Sequence, residues 1–345
     1  MMEEWLKFGA CLSLTPDLVA VGWGKRHWLK SRRSEGPSFY SPDFFLAEST
    51  PWFYHDHQAV MTKTELRKQL KDVLPGEPPL WTSLPRALFE ESFDALQPLL
   101  QQGKLKKAVL YAGQQAPFSF DISRMQASMK ALLDRLSESA MHLYGWWGEE
   151  QGIMGLTPEI LFQTAPGGIV KTMACAGTQE TQLSLQAMLT DRKLQEEQQC
   201  VSDGIVASLS PFGRVKVGER TARDFGRLRH FVTPIELKVN EQLDFEELVA
   251  ALHPTPAVGA APQKAGETWL RAYQQKVPRG RYGAPFGYWD PAQQSALCCV
   301  AIRNVQWENH QQEILAGCGI LASSQKEQEW NELVLKLNAI KTSLI

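Results

Sequence analysis

The chain has no apolar run long enough to cross a bilayer: the longest, Ala296 to Ile302, falls far short of the ~20 residues a spanning helix needs. It has no excess of charge of either sign. Against 38 Asp and Glu stand 36 Lys and Arg, and the formal charge of −2 gives no field to steer nucleic acid or an anionic membrane. No CxxC pair occurs among the six cysteines at 11, 175, 200, 298, 299 and 318, and five of them lie in apolar surroundings. That pattern suits reduced, buried thiols rather than a disulfide framework. Glu3 and Glu4 stand where an export signal needs positive charge. These absences lead us to expect a cytoplasmic protein with neither a membrane nor a nucleic acid as partner. GxxxxGK[ST], GxGxxG after a strand and GxSxG are missing too, which removes the usual nucleotide-binding and serine-hydrolase readings. The basic stretches Lys25 to Arg33 and Arg214 to Arg229 contain or adjoin acidic residues and read as solvated faces. His55-Asp56-His57 lacks a third spaced metal ligand and reads as an exposed loop.

What is present is material for a large core. The 345 residues are 43% hydrophobic, with 11 Trp and 15 Phe, far from the aromatic-poor balance of disordered chains. Short β-like runs at Leu18 to Trp23 and Ser38 to Phe45 are punctuated by Gly, Pro and Ser, and a charged helix is expected over Thr62 to Val73. Pro75, Pro78 and Pro79 break that helix and mark 74–85 as a connection. Further helices are expected over Phe89 to Leu105, Ser123 to Leu136, 191–209 and Glu327 to Ile345. Strands are expected from Lys107 to Ala112 and over 229–238, 284–289, 296–303 and 313–316. Between 140 and 178 apolar runs alternate with Gly, and Pro166-Gly167-Gly168 separates two of them as in an antiparallel hairpin. Strands in groups, with helices between the groups, argue an α+β chain built on antiparallel sheets.

Several residues stand out against this background. On the C-terminal helix Trp330, Leu333, Val334, Leu337 and Ile340 form an apolar stripe, and Glu329, Glu332 and Lys336 share an adjacent face. That face is either a solvated set of ion pairs or a site for a cation and an anion. Glu197 lies at the edge of the stripe Leu194, Val201 and Ile205, where a half-buried carboxylate costs several kcal/mol unless a cation meets it. Two glutamates from different helices would supply the oxygen ligands that Mg²⁺ prefers. Lys107 heads an apolar strand, where desolvation would make it a general base, or it snorkels outward beside Lys104 and Lys106. Glu159 enters the apolar run Ile160-Leu161-Phe162 either as a general acid or as an exposed strand-edge charge. The glycines of Ala176-Gly177-Thr178 and Ala316-Gly317-Cys318-Gly319 either let backbone N–H groups approach an anion or make ordinary turns. Arg303 closes a buried run, a place where arginine needs a carboxylate or phosphate partner.

Taken in order, Lys107-Ala-Val-Leu, Gly155-Leu-Thr-Pro-Glu159, Ala176-Gly-Thr178, Lys193 to Asp203 with Glu197, and Leu252-His-Pro-Thr-Pro-Ala-Val-Gly259 form a recognisable series. It continues through Arg279-Gly-Arg-Tyr282, Ala301-Ile-Arg303, Ala316-Gly-Cys-Gly-Ile320 and Glu329-Trp-Asn-Glu332 with Lys336. The series resembles the chorismate-utilising enzymes, most closely the isochorismate synthases. The resemblance implies one large α+β domain spanning 1–345, two antiparallel β-sheets packed together and flanked by helices. Its N-terminal portion, 1–88, is divergent, and 89–345 carries the motifs. The implied reaction is the Mg²⁺-dependent isomerisation of chorismate to isochorismate. In it Lys107 deprotonates water for attack at ring carbon 2, and Glu159 protonates the hydroxyl departing from carbon 4. Glu197 and Glu332, with Glu329 nearby, would hold the Mg²⁺. Arg303, Lys336, Tyr282 and the loops with Gly177, Thr178, Gly317, Cys318 and Gly319 would orient the dianionic substrate, alongside His253 and Ala257.

Lys107 together with Ala176 implies water rather than ammonia as nucleophile, and Ala257 stands where salicylate synthases tend to have Thr. The resemblance also covers salicylate synthases, ammonia-using anthranilate and aminodeoxychorismate synthases, and a catalytically silent chorismate-binding homologue. For an isochorismate synthase it implies no glutaminase subunit and a monomer or weak homodimer. The chain departs from the pattern at Ala112, where related synthases usually have Arg, and at Cys318, where Ala is common. Ala260 replaces a common Gly, and Glu236 stands where His is frequent.

Overall fold

A computed structural model describes residues 1–73, 76–136, 140–241 and 243–344. Residues 74 and 75, at the start of the expected connection, and 345, at the end of the expected terminal helix, lie outside the described residues.

Every strand pairing is antiparallel, and the pairings join into one sheet that can be followed from edge to edge. From one end come Lys107–Pro117, Gln311–Ile320, Asn304–Glu308, Gln151–Thr157, His142–Trp147, Gly9–Ser13 and Leu18–Leu29. The path continues through Trp52–Thr62, Ser38–Tyr40, Pro285–Asp290, Ser295–Val300, Ile160–Ala165, Ile169–Glu180 and Leu228–Val239. The sheet folds over so that its two halves face each other. Leu12, Phe39, Phe53, Tyr144, Phe286 and Tyr288 fill the space between them. The two expected sheets are thus halves of one, continuous through the long pairing of Leu18–Leu29 with Trp52–Thr62. The first 62 residues supply the middle of the strand order.

Each half is covered on its outer face by helices whose apolar stripes recur at helical spacing. Arg86–Gln101, Ile122–Arg135, Gln263–Lys276 and Lys326–Leu344 bury Phe89, Leu96, Met129, Leu132, Leu270 and Leu333 on one side. Arg192–Leu209 and Phe245–Leu252 bury Val201, Ile205 and Leu248 on the other. Each such side chain removed from water contributes roughly 1.5–3 kcal/mol. The Arg192–Leu209 helix starts where Asp191 accepts a hydrogen bond from the Leu194 N–H at 3.0 Å.

Local elements differ from the sequence reading at two places along the N-terminal segment. The helix expected over Thr62 to Val73 is only Lys63–Gln69, begun by a capping box between Thr62 and Glu65. His55-Asp56-His57 is strand, not loop: the aromatic run Trp52-Phe53-Tyr54 carries the segment into the sheet, burying His55 and exposing Asp56 and His57. The basic stretch from Arg214 to Arg229, read as a solvated face, keeps Arg214, Lys216, Arg220, Arg223 and Arg227 exposed, on and beside two short strands, Gly213–Val217 and Thr221–Phe225, both paired with Leu228–Val239. All six cysteines are free, and all but Cys200 are buried.

Two links pass from one half of the sheet to the other side by side. Pro158-Glu159 joins Gln151–Thr157 to Ile160–Ala165, and residues 301–303 join Ser295–Val300 to Asn304–Glu308. The Val300 N–H donates to the Glu159 carbonyl at 3.0 Å, and Thr157 Oγ1 donates to the Val300 carbonyl at 2.8 Å. Arg303 makes its turn at φ 54°, in the left-handed region.

Candidate active site

A cleft of about 670 Å³ opens where these links cross. Its walls come from both ends of the sheet: Ala176, Gly177 and Thr178 from one, Leu315, Gly317 and Gly319 from the other. Glu159, Arg303, Glu197, Tyr282, Ala257 and Lys336 also face it.

Glu159 is 3% exposed, and its Oε1 has no hydrogen-bond partner among the described residues. Burial disfavours its charged form more than Lys107, Thr255, Lys336 and Arg303 favour it, so its pKa rises to about 7. Near neutrality such a carboxyl still holds a proton that it can donate. Lys107, fully buried at the start of its strand, places Nζ 3.1 Å from Glu197 Oε1. The snorkelling alternative therefore does not describe it. Gly319, on the adjacent strand, makes room: a Cβ there would lie 2.2 Å from Lys107 Cε and 2.3 Å from Glu197 Oε1.

The helix side of the cleft is a charge cluster. Burial alone would raise the pKa of Glu197, but Lys107, Lys193 and Lys336 outweigh it and lower the value to about 2. Lys336 Nζ donates to Glu332 Oε1 and to the Gly317 carbonyl, each at 2.7 Å. Burial and Glu332 raise the pKa of Glu329, against the pull of Lys193, to about 7. Glu197, Glu329 and Glu332 converge from two helices, and their donors are all oxygen, the ligand type that Mg²⁺ takes. As they stand, the three carboxylates surround the ammonium of Lys193, with no His, Cys or acidic trio at metal-binding spacing among the described residues.

Among the described residues Arg303 forms no ion pair with a carboxylate. Its Nη1 donates to the Phe225 carbonyl at 3.1 Å, and its Nη2 lies 2.7 Å from His230 Nε2. Burial, reinforced by Arg303 and Lys336, holds His230 well below its ordinary pKa, so its ring accepts this bond as a neutral base. His230 Nδ1 lies 3.3 Å from Thr178 Oγ1. With its local partners uncharged, the guanidinium remains available to an incoming carboxylate.

Not every expected residue reaches the cleft. His253 is buried behind it, with Nε2 2.6 Å from the Phe44 carbonyl. Cys318 alternates with Gly317 and Gly319 along its strand, so its thiol faces the opposite side, 3.8 Å from the Leu110 carbonyl. Among the departures, Ala260 packs beneath Gly266, and Ala112 pairs with Ala316 inside the sheet. Glu236 lies between Lys171 and Lys216 on neighbouring strands, away from the cleft. The histidine that does face the cleft, His230, comes from the same strand six residues earlier. Sequence reasoning missed it, and the preceding Arg229, which reads as part of a basic stretch, masked it. Lys193 was noticed only as the first residue of the Glu197 segment.

The antiparallel sheet thus closes its two ends around a proton-holding carboxyl on one side and paired lysines and glutamates on the other. A model of the family described as chorismate binding enzyme matches residues 53–345, and the chain belongs to that family. It is similar to the salicylate biosynthesis isochorismate synthase of Pseudomonas aeruginosa, at 30% identity over 71% of this chain and 52% of that protein. It is also similar to isochorismate synthase MenF of Bacillus subtilis, at 27% identity over 64% of this chain and 48% of that protein. The chain spans about half the length of these curated relatives. Two solved structures share its fold. MenF, the menaquinone-specific isochorismate synthase from Escherichia coli, superposes with a TM-score of 0.75 at 18% identity, covering 100% of this chain and 91% of that one. The 2,3-dihydroxybenzoate-specific isochorismate synthase DhbC from Bacillus anthracis, described as putative, gives 0.77 at 17% identity, covering 100% and 99%. Among the described residues no helix is long and apolar enough to cross a membrane.

Proposed function

We propose that this protein is an isochorismate synthase, converting chorismate to isochorismate. The observation that carries the proposal is the buried Glu159, which holds its proton to about pH 7 and faces a cleft whose Glu197 lies 3.1 Å from the Nζ of the buried Lys107. Lys107, acting as the unprotonated amine, takes a proton from water, whose oxygen bonds to ring carbon 2. The ring double bonds shift, and the hydroxyl on carbon 4 leaves with the proton of Glu159, so one water enters and one departs. Arg303 and Lys336 meet the substrate carboxylates, and Tyr282 closes the cleft over Gly317. Glu197 and Glu332, with Glu329 beside them, would hold a Mg²⁺. When bound, it supplies positive charge against a substrate carboxylate and fixes the ring in place. The alanine at 176 leaves room without offering a second ammonium there, in keeping with water rather than ammonia as nucleophile. On this reading the enzyme works in the cytoplasm, as a monomer or weak homodimer, with no glutaminase subunit.

The test is direct. Purified protein incubated with chorismate and Mg²⁺ should yield isochorismate by NMR. Pyruvate release would identify a salicylate synthase, an absolute need for an amine donor would identify an ammonia-using enzyme, and thermal stabilisation without turnover would identify a silent homologue. Lys107→Ala should abolish water addition while chorismate binding stays measurable by calorimetry; normal turnover in that variant overturns the base assignment.

A further inference from the structure

Three lysines meet the three helix glutamates, and they are not equivalent. Lys107 is fully buried and pairs with Glu197 alone. Lys336 is anchored, sharing its ammonium between Glu332 and the Gly317 carbonyl. Lys193 alone reaches all three carboxylates, at 3.0 Å from Glu329, 3.4 Å from Glu197 and 3.7 Å from Glu332. It stands in the first turn of the Arg192–Leu209 helix, and its side chain is 22% exposed, so its flexible stem opens onto solvent. An ion bound to the same oxygens would sit ~2.0–2.1 Å from them. An ammonium and a Mg²⁺ cannot share that space.

We propose that Lys193 is a placeholder cation: it neutralises the acid trio of the metal-free protein and must swing outward for Mg²⁺ to enter. The inference rests on the reading of Glu197, Glu329 and Glu332 as the metal site. It deepens that reading by making metal affinity a competition within the chain. Burying three carboxylates without a counter-ion would be costly, and the built-in ammonium lets the apo protein fold with its site already shaped. The same ammonium weakens metal binding, because its own ion pairs must break first.

Titration calorimetry with MgCl₂ alone, without chorismate, tests the competition. Lys193→Met should bind Mg²⁺ roughly tenfold or more tightly than the wild type. Its metal-free form should melt at a lower temperature, and Mg²⁺ should raise that temperature by more than it does in the wild type. Equal or weaker binding by the variant overturns the proposal and makes Lys193 an ordinary brace. If Lys193→Met does not fold at any Mg²⁺ concentration, Lys193→Arg decides. A guanidinium holds carboxylates more firmly, so its Mg²⁺ affinity should fall below the wild-type value, and an unchanged or higher affinity overturns the proposal. Wild-type protein that binds no Mg²⁺ brings down the metal reading itself, and the placeholder with it.

Discussion

Glu159 and Glu197 are the same residue type, both buried, and both within the influence of Lys107, yet their carboxyls are pushed in opposite directions. Glu159 lies on a link between sheet halves, with an oxygen that no described residue meets. Glu197 lies on a helix, with Lys107 and Lys193 in contact and Lys336 close by. Burial raises a carboxyl when it acts nearly alone and is overruled when several ammoniums close in. The two walls of one cleft thereby hold a protonated carboxyl and a carboxylate made from identical side chains.

Glu159→Gln breaks the comparison most severely. Without a donor, turnover should fall by about 10²–10⁴, the usual scale of general acid catalysis, as steady-state kinetics would show. In the wild type, turnover should decline as pH rises through about 7, because the carboxyl loses the proton it must give. Stability carries the opposite lesson. The carboxyl titrates near its ordinary 4.5 when unfolded and at about 7 when folded, so the folded state binds the extra proton between those values. Stability therefore falls as pH rises across that window and stays at the lower level above it, a cost of roughly 3 kcal/mol by pH 8. Glu159→Gln should accordingly melt higher than the wild type at pH 8, with the gap narrowing at pH 5. An equal gap at both pH values would mean that the carboxyl is not raised.

Gly319→Ala acts where the two walls touch. The added methyl displaces the ends of Lys107 and Glu197, flexible side chains rather than backbone. Turnover should drop by roughly a hundredfold through misplacement of the base, with a small change in melting temperature. A fully active variant would show that Lys107 need not stand where it does. The smallest effect belongs to Glu236→Ala: between two lysines and away from the cleft, it should leave kcat unchanged and move stability by no more than about 0.5 kcal/mol.

Much of this was legible beforehand. The apolar stripe of the last helix placed Glu329, Glu332 and Lys336 on one face, and the spacing of Leu194, Val201 and Ile205 located the helix of Glu197. Local periodicity is enough for that. Which helices meet is a long-range matter, and so is the partner of Arg303, which proves to be a neutral histidine 73 positions away rather than a carboxylate. His253 and Cys318 fooled the sequence reading because they belong to segments that do line the cleft, and only strand alternation and backbone direction decide which neighbour faces in. The N-terminal strands are obscure for the same reason: several of their aromatic residues pack against distant strands, as where Phe39 pairs with Tyr288.

The strand order has one more consequence. Gly177 and Gly319 belong to strands near opposite extremities of a single ribbon, and they border the same cleft only because everything between them has curled round. No local hairpin brings these two glycines together. A chain that had secured every local hairpin but not its final closure would hold every wall of the cleft and no cleft.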